Sequence, residues 1–142
     1  MNKITVVNLN SKPYFSEKKI KGITQKFLQL LKKKNYYLEI FLISNQKMKF
    51  LNKKFRNKDK TTNILTFIEP KKFPHPESKL KILGEIYLNA EILNFKSQVS
   101  SLVAHGVLHL FGFKHKKKSD RIKMEATEQK LLCQILNPSA KG

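Results

Sequence analysis

Cysteine is all but missing from this chain. Cys133 is the single thiol, so no disulfide can close within it, and a reducing compartment fits. There is no tryptophan, and only 10 acidic residues stand against 29 basic ones. Arginine occurs twice, at 56 and 121, so 29 − 2 = 27 of the cations are lysines. Long apolar runs are absent as well. The N-terminal ITVV is too short for a signal peptide or a membrane span, and a soluble, cytoplasmic protein without membrane association is expected. There is no internal repeat, linker or composition break, and 142 residues suit one domain, 1–142, with its own core.

What is present in excess is positive charge. A net +19 favours a polyanionic partner such as RNA or an anionic surface, although a composition rich in Lys, Asn and Ile also arises in AT-rich genomes without selection for binding. The periodicity reads as β-α-β-α-β-β-α-α: strands over 4–9, 36–43, 64–68 and 83–89, and helices opening at Ser16 and Ser44, running up to Phe111, and spanning 119–136. Phe15 and Ile20 stand as a hydrophobic staple across the first cap. Met48, Leu51 and Phe55 form the expected buried stripe of the second helix, and Pro70, Pro74 and Pro76 mark a surface loop. The expected fold is α+β, a single domain with a mixed sheet of about four strands packed with helices.

Histidine is scarce too, yet three of the four lie in HGVLHLFGFKH, at 105, 109 and 115. His105 and His109 are one helical turn apart, so their rings share a face, while Val103, Ala104, Val107, Leu108, Leu110 and Phe111 occupy the opposite arc and seat this helix against the sheet. Gly106 flanks the histidine face without adding bulk. Gly112 suits a left-handed helix end, a turn able to carry His115 back to the pair, and the negative helix terminus there favours a cation. Three neutral imidazoles with an open fourth position make a transition-metal site, zinc above all. The spacing is also that of the metzincin zinc peptidases, but Gly106 stands where those enzymes carry their general-base Glu, so the metal is expected without the proteolysis.

HGVLHLFGFKH closely resembles the H-G-x-L-H-L-x-G-(Y/F)-D-H motif of the YbeY family of bacterial endoribonucleases and rRNA maturation factors. LNKKFRNKDKTTNILTF (51–67) and LGEIYLN (83–89) resemble two further family blocks, and Met124, Glu125 and Glu128 fall on its M-E-x-x-E pattern. The resemblance spans about residues 50–135 and implies His105, His109 and His115 as ligands of one Zn2+, with His105 and Arg56 in catalytic roles. It further implies single-strand-specific endoribonuclease activity in maturing the 3′ end of 16S rRNA and in ribosome quality control. The partners would be rRNA and the small ribosomal subunit; no obligate protein partner follows. Lys114 and Asn63 replace acids usual in the family, and the stretch from Glu91 to His105 is shorter.

Arg56 suits a phosphate clamp, since a planar guanidinium bonds two oxygens at once; capping its helix or pairing with Asp59 is the alternative. Lys53, Lys54, Lys58 and Lys60, with Lys116, Lys117 and Lys118, flank the two functional segments as a possible RNA groove. Glu85 and Glu125 are both candidates for general base. Cys133, among Leu131, Leu132, Ile135 and Leu136, is expected in the core, and His75 on the surface. A second function class stays open on Lys114: a ribosome-associated RNA-binding factor whose metal is structural.

Overall fold

The computed structural model describes residues 2–9, 17–68, 80–92, 96–113 and 118–136. Four strands, β1 (Lys3–Asn8), β2 (Tyr36–Ile43), β3 (Ile64–Ile68) and β4 (Lys81–Asn89), form one sheet in the order β1-β2-β4-β3. β1 and β2 pair in parallel, as do β2 and β4, and β3 runs antiparallel to β4 along one edge. The helices are α1 (Glu17–Leu30), α2 (Asn45–Arg56), α3 (Lys96–Leu110) and α4 (Lys118–Leu136). The expected element order and α+β class therefore hold. No helix among the described residues is long and apolar enough to cross a membrane. The Ser16 cap with its Phe15 staple, the proline loop with His75, Asn137 and Pro138 lie outside the described residues.

Strand alternation divides the apolar residues between two faces. Leu38, Ile40, Ile86 and Leu88 point to one side, where α1, α3 and α4 bury them beneath Phe27, Val103, Val107, Leu108, Met124 and Leu131. Among the described residues the other side is covered by α2, through the small cluster Ile43, Met48 and Leu65 with Phe41, Leu51, Phe67 and Tyr87 around it. Phe55, expected in the buried stripe of α2, lies over Phe67 on the edge strand β3, where little sheet remains beneath it, and is 56% exposed; the buried residues of that helix are Met48 and Asn52.

Cys133 is likewise exposed rather than core. α4 meets the core through Met124 and Leu131, and a residue two places beyond Leu131 lies about 200° round the helix. Leucine neighbours in sequence do not share a helical face.

Buried polar groups pin the α2–β3 connection. Asn89, fully buried at the end of β4, donates to Asn45 Oδ1 at 2.8 Å, Thr61 Oγ1 at 3.1 Å and the Thr62 carbonyl at 3.3 Å. Asn52 donates to the Lys60 carbonyl at 2.8 Å. Ser44 caps α2 by accepting from the Lys47 N–H at 3.1 Å, and Asn57 ends it in the left-handed conformation at φ 56°. Arg56 is thus the last helical residue on a segment tied at both ends.

Candidate metal centre

α2 and α3 both run antiparallel to β4. Asn45 begins α2 beside Asn89, and Phe55 ends it beside Phe67, which pairs with Glu85. On the opposite face, Gly106 lies over Ile86, and Leu110 reaches Gly84. Both helices therefore end beside Gly84 and Glu85 near the middle of β4, one on each face of the sheet at the β3 edge.

Close approach makes glycine necessary at two places. A Cβ on Gly84, at φ +149°, would stand 2.3 Å from the Phe67 carbonyl oxygen and 2.9 Å from Leu110 Cδ2. A Cβ on Gly106 would stand 3.0 Å from both Ile64 Cδ1 and Ile86 Cδ1. Gly106 thus faces the sheet, not the histidine side, and the seating of α3 explains it. Alanine gains about 1 kcal/mol in helix propensity over glycine, but crowding the buried Ile86 and the half-buried Ile64 costs about 1–3 kcal/mol. Gly106→Ala should therefore lower stability by about 1 kcal/mol, read as a lower urea midpoint. A raised midpoint would show that the isoleucines give way freely.

The end of α3 is a Schellman turn. Phe113 N–H bonds the Leu108 carbonyl at 3.0 Å and Gly112 N–H bonds that of His109 at 3.0 Å, with Gly112 at φ +94°. The left-handed glycine expected at 112 is present. Lys114, His115, Lys116 and Lys117 follow outside the described residues, so the convergence of the third histidine is not seen. No group of three metal-binding side chains occurs among the described residues.

His105 and His109 do converge. Their Nε2 atoms are 3.1 Å apart, with ring centroids at 4.6 Å and planes at 68°. His105 Nδ1 lies 3.2 Å from Glu128 Oε1 on α4. Glu128 accepts a hydrogen bond from Nδ1–H there, and the tautomer this selects is the one whose Nε2 can serve a metal on the His109 side. Two nitrogens bound tetrahedrally at about 2.0–2.1 Å lie about 3.3–3.4 Å apart, close to the observed separation. The donor set fits zinc, and the carboxylate–histidine contact is what fixes ring and tautomer in zinc sites.

Glu128 is the site residue whose role the sequence reading missed. The spacing of Met124, Glu128 and Leu131 puts the glutamate on the apolar face of α4, and the fold adds that this face is buried and that it meets His105 on α3.

The remaining candidates scatter. Arg56, Lys53, Lys54, Lys58 and Lys60 are all exposed around the end of α2, and Lys118 is exposed at the start of α4. Asp59 lies 4.0 Å from Lys49, an exposed contact of little energetic weight. Glu85 accepts from the Tyr87 hydroxyl at 2.7 Å on the α2 side of the sheet, away from the histidines, and Glu125 is exposed. Alternation along β4 thus argues against Glu85 as a base for this centre.

A family model described as Endoribonuclease YbeY matches residues 5–136. Among curated relatives, the Endoribonuclease YbeY of Sulfurihydrogenibium sp. is 30% identical, covering 89% of this chain and 93% of that one. That of Pelagibacter ubique is 40% identical over 74% of this chain and 72% of the relative. The solution structure of a Thermotoga maritima protein shares the fold with a TM-score of 0.60 at 23% identity, over 93% of this chain and 88% of the other.

Proposed function

The chain belongs to the YbeY endoribonuclease family, and on that premise we propose that its RNA-cleaving centre is a zinc site held by His105, His109 and His115. The observation that carries the proposal is the pair of Nε2 atoms 3.1 Å apart, with Glu128 behind His105. The cleaved chain would be single-stranded RNA, and the biological substrate the 3′ end of 16S rRNA on the small ribosomal subunit, in the cytoplasm.

When bound, the ion supplies Lewis acidity towards a phosphoryl oxygen and acidifies a water. The protein's own residues do the positioning. Glu128 holds His105 in one ring orientation, and the Schellman turn carries the chain on towards His115. Arg56, at the same end of the sheet, takes two phosphate oxygens of a strand passing the β3 edge. The lysines around it hold the backbone in a salt-dependent way.

The direct test is cleavage of a single-stranded fragment carrying the 16S rRNA 3′ end beside a duplex of the same length, with and without chelator. Cleavage confined to the single strand, lost with chelator and restored by zinc, is expected. Cleavage that survives complete metal removal would overturn the metal assignment. Binding without cleavage at any metal loading would leave an RNA-binding factor with a structural ion.

Glu128→Gln keeps the shape of the side chain and removes its charge. Zinc affinity should fall by about tenfold, the lower end for a partner behind a ligand. Competition against a chromophoric chelator measures it; equal affinities would deny Glu128 this part.

A further inference from the structure

The proposed centre leaves the aromatic residues of α2 without a part. α2 carries Lys47, Lys49, Lys53, Lys54 and Arg56 and no acidic residue. Between these cations stand Phe50 and Phe55, each 56% exposed. Lys47 and Lys54 lie over the Phe50 ring at 5.6 and 5.9 Å from its centroid, and Lys54 lies 5.5 Å from that of Phe55. Phe55 is braced from below. Its ring meets Phe67 edge-on at 5.2 Å, Phe67 meets Tyr87 edge-on at 5.6 Å, and Tyr87 stacks on Phe41 at 4.9 Å. Burial and the bond to Glu85 hold the Tyr87 hydroxyl neutral far above the ordinary phenol range, so no phenolate charge develops on this ladder.

We infer that Phe50 and Phe55 form a base-stacking platform for single-stranded RNA, separate from the cleavage centre and on the other face of the sheet. The occupant is argued from chemistry. A base needs an exposed π-face and its phosphates need cations close by, and this helix offers both; it has no carboxylate of its own, and those that approach it are Asp59 beside Lys49 and Glu91, which accepts from the Asn45 N–H. The two rings are five residues apart, about 7.5 Å along the helix axis and about 140° round it, so a strand that stacks on both crosses the helix past Lys54, whose Nζ lies 5.9 and 5.5 Å from the two centroids. Lys47 and Lys54 are exposed, and a ring contact at an exposed site is worth about 0.5–1 kcal/mol, little enough for a phosphate to compete for the ammonium. A membrane surface fits less well, because an interfacial helix presents a wide apolar face whereas α2 has committed Met48 and Leu51 to the sheet. Arg56 closes the same helix, so RNA seated on the rings leads towards the end of the sheet where the histidines lie.

This inference rests on the RNA reading above, and the test separates the two. Affinity is measured for a single-stranded RNA oligonucleotide, for an abasic strand of equal length and for a duplex, at two salt concentrations. The proteins are the parent, Phe50→Ala, Phe55→Ala and Phe50→Trp. Each alanine should weaken binding of the single strand roughly tenfold without changing the salt slope, leave the abasic strand and the duplex unaffected, and keep the thermal midpoint. Phe50→Trp, which keeps a π-face, should bind as the parent does. Unchanged affinity in both alanine variants of a parent that binds and cleaves overturns the platform alone. Equal losses on all three ligands reduce it to a charge or folding effect and overturn it too. Alanine variants that keep RNA affinity but lose the small ribosomal subunit assign the rings to a protein contact instead. A parent that neither binds nor cleaves single strands removes the RNA reading itself, and this inference with it.

Discussion

His109→Ala is expected to lower zinc affinity by more than 10²-fold, beyond the loss seen when a group merely supporting a ligand is removed. Cleavage should disappear with the ion. The fold should hardly notice, because His109 is half-buried and its ring lies outside the apolar cluster. Leu108→Ala, one position away, should behave in the opposite way. Leu108 is fully buried, so truncation should cost about 2–5 kcal/mol while leaving both imidazoles in place. Metal content after dialysis and urea midpoints in excess chelator separate the effects, since chelator removes the stability that bound metal adds. If His109→Ala retains metal as well as the parent, the ligand set is wrong. If it unfolds as readily as Leu108→Ala, the histidine is a packing residue.

Arg56→Lys should cut single-turnover cleavage at saturating RNA by roughly 10²-fold or more, as when a preorganised donor to the transition state is removed. The charge survives the exchange and the two-pronged geometry does not. In a chain of net +19, RNA affinity should scarcely move. Lys53→Ala, Lys54→Ala or Lys58→Ala should show the reverse: weaker binding, most marked at low salt, with less effect on the bound rate. Arg56 stands exposed at the last turn of α2, so neither exchange should disturb folding. Cleavage by Arg56→Lys at the parental rate would make Arg56 one more cation in a basic chain.

Much of the architecture was legible along the chain because local signals were strong. The runs YYLEIFLI and ILTFI coincide with β2 and β3, and Ser44 caps α2 as its place before Asn45 implies. The apolar arc of α3 is buried and the positive φ of Gly112 is realised, since each follows from periodicity or from the cost of a Cβ. The misreadings share a cause. Periodicity puts Phe55 in the stripe of α2, and sequence neighbours put Cys133 in the core and Gly106 beside the histidine face, but burial depends on which helix covers which face. Phe55 lies on a helix with too little sheet beneath it, Cys133 on the outer side of α4, and Gly106 where α3 presses on Ile64 and Ile86.

The sequence by itself determined the spacing of the histidines, the turn that follows them and the excess of cations, because these depend on residue identity and on contacts within one or two helical turns. Tertiary structure alone decided that Glu128 stands behind His105, that Glu85 faces away from the histidines, and that α2 and α3 end together on either side of β3. Each depends on long-range pairing: α4 packed on α3, and β4 set between β2 and β3. A periodic pattern states which residues share a face, and only the packed sheet and helices state what that face meets.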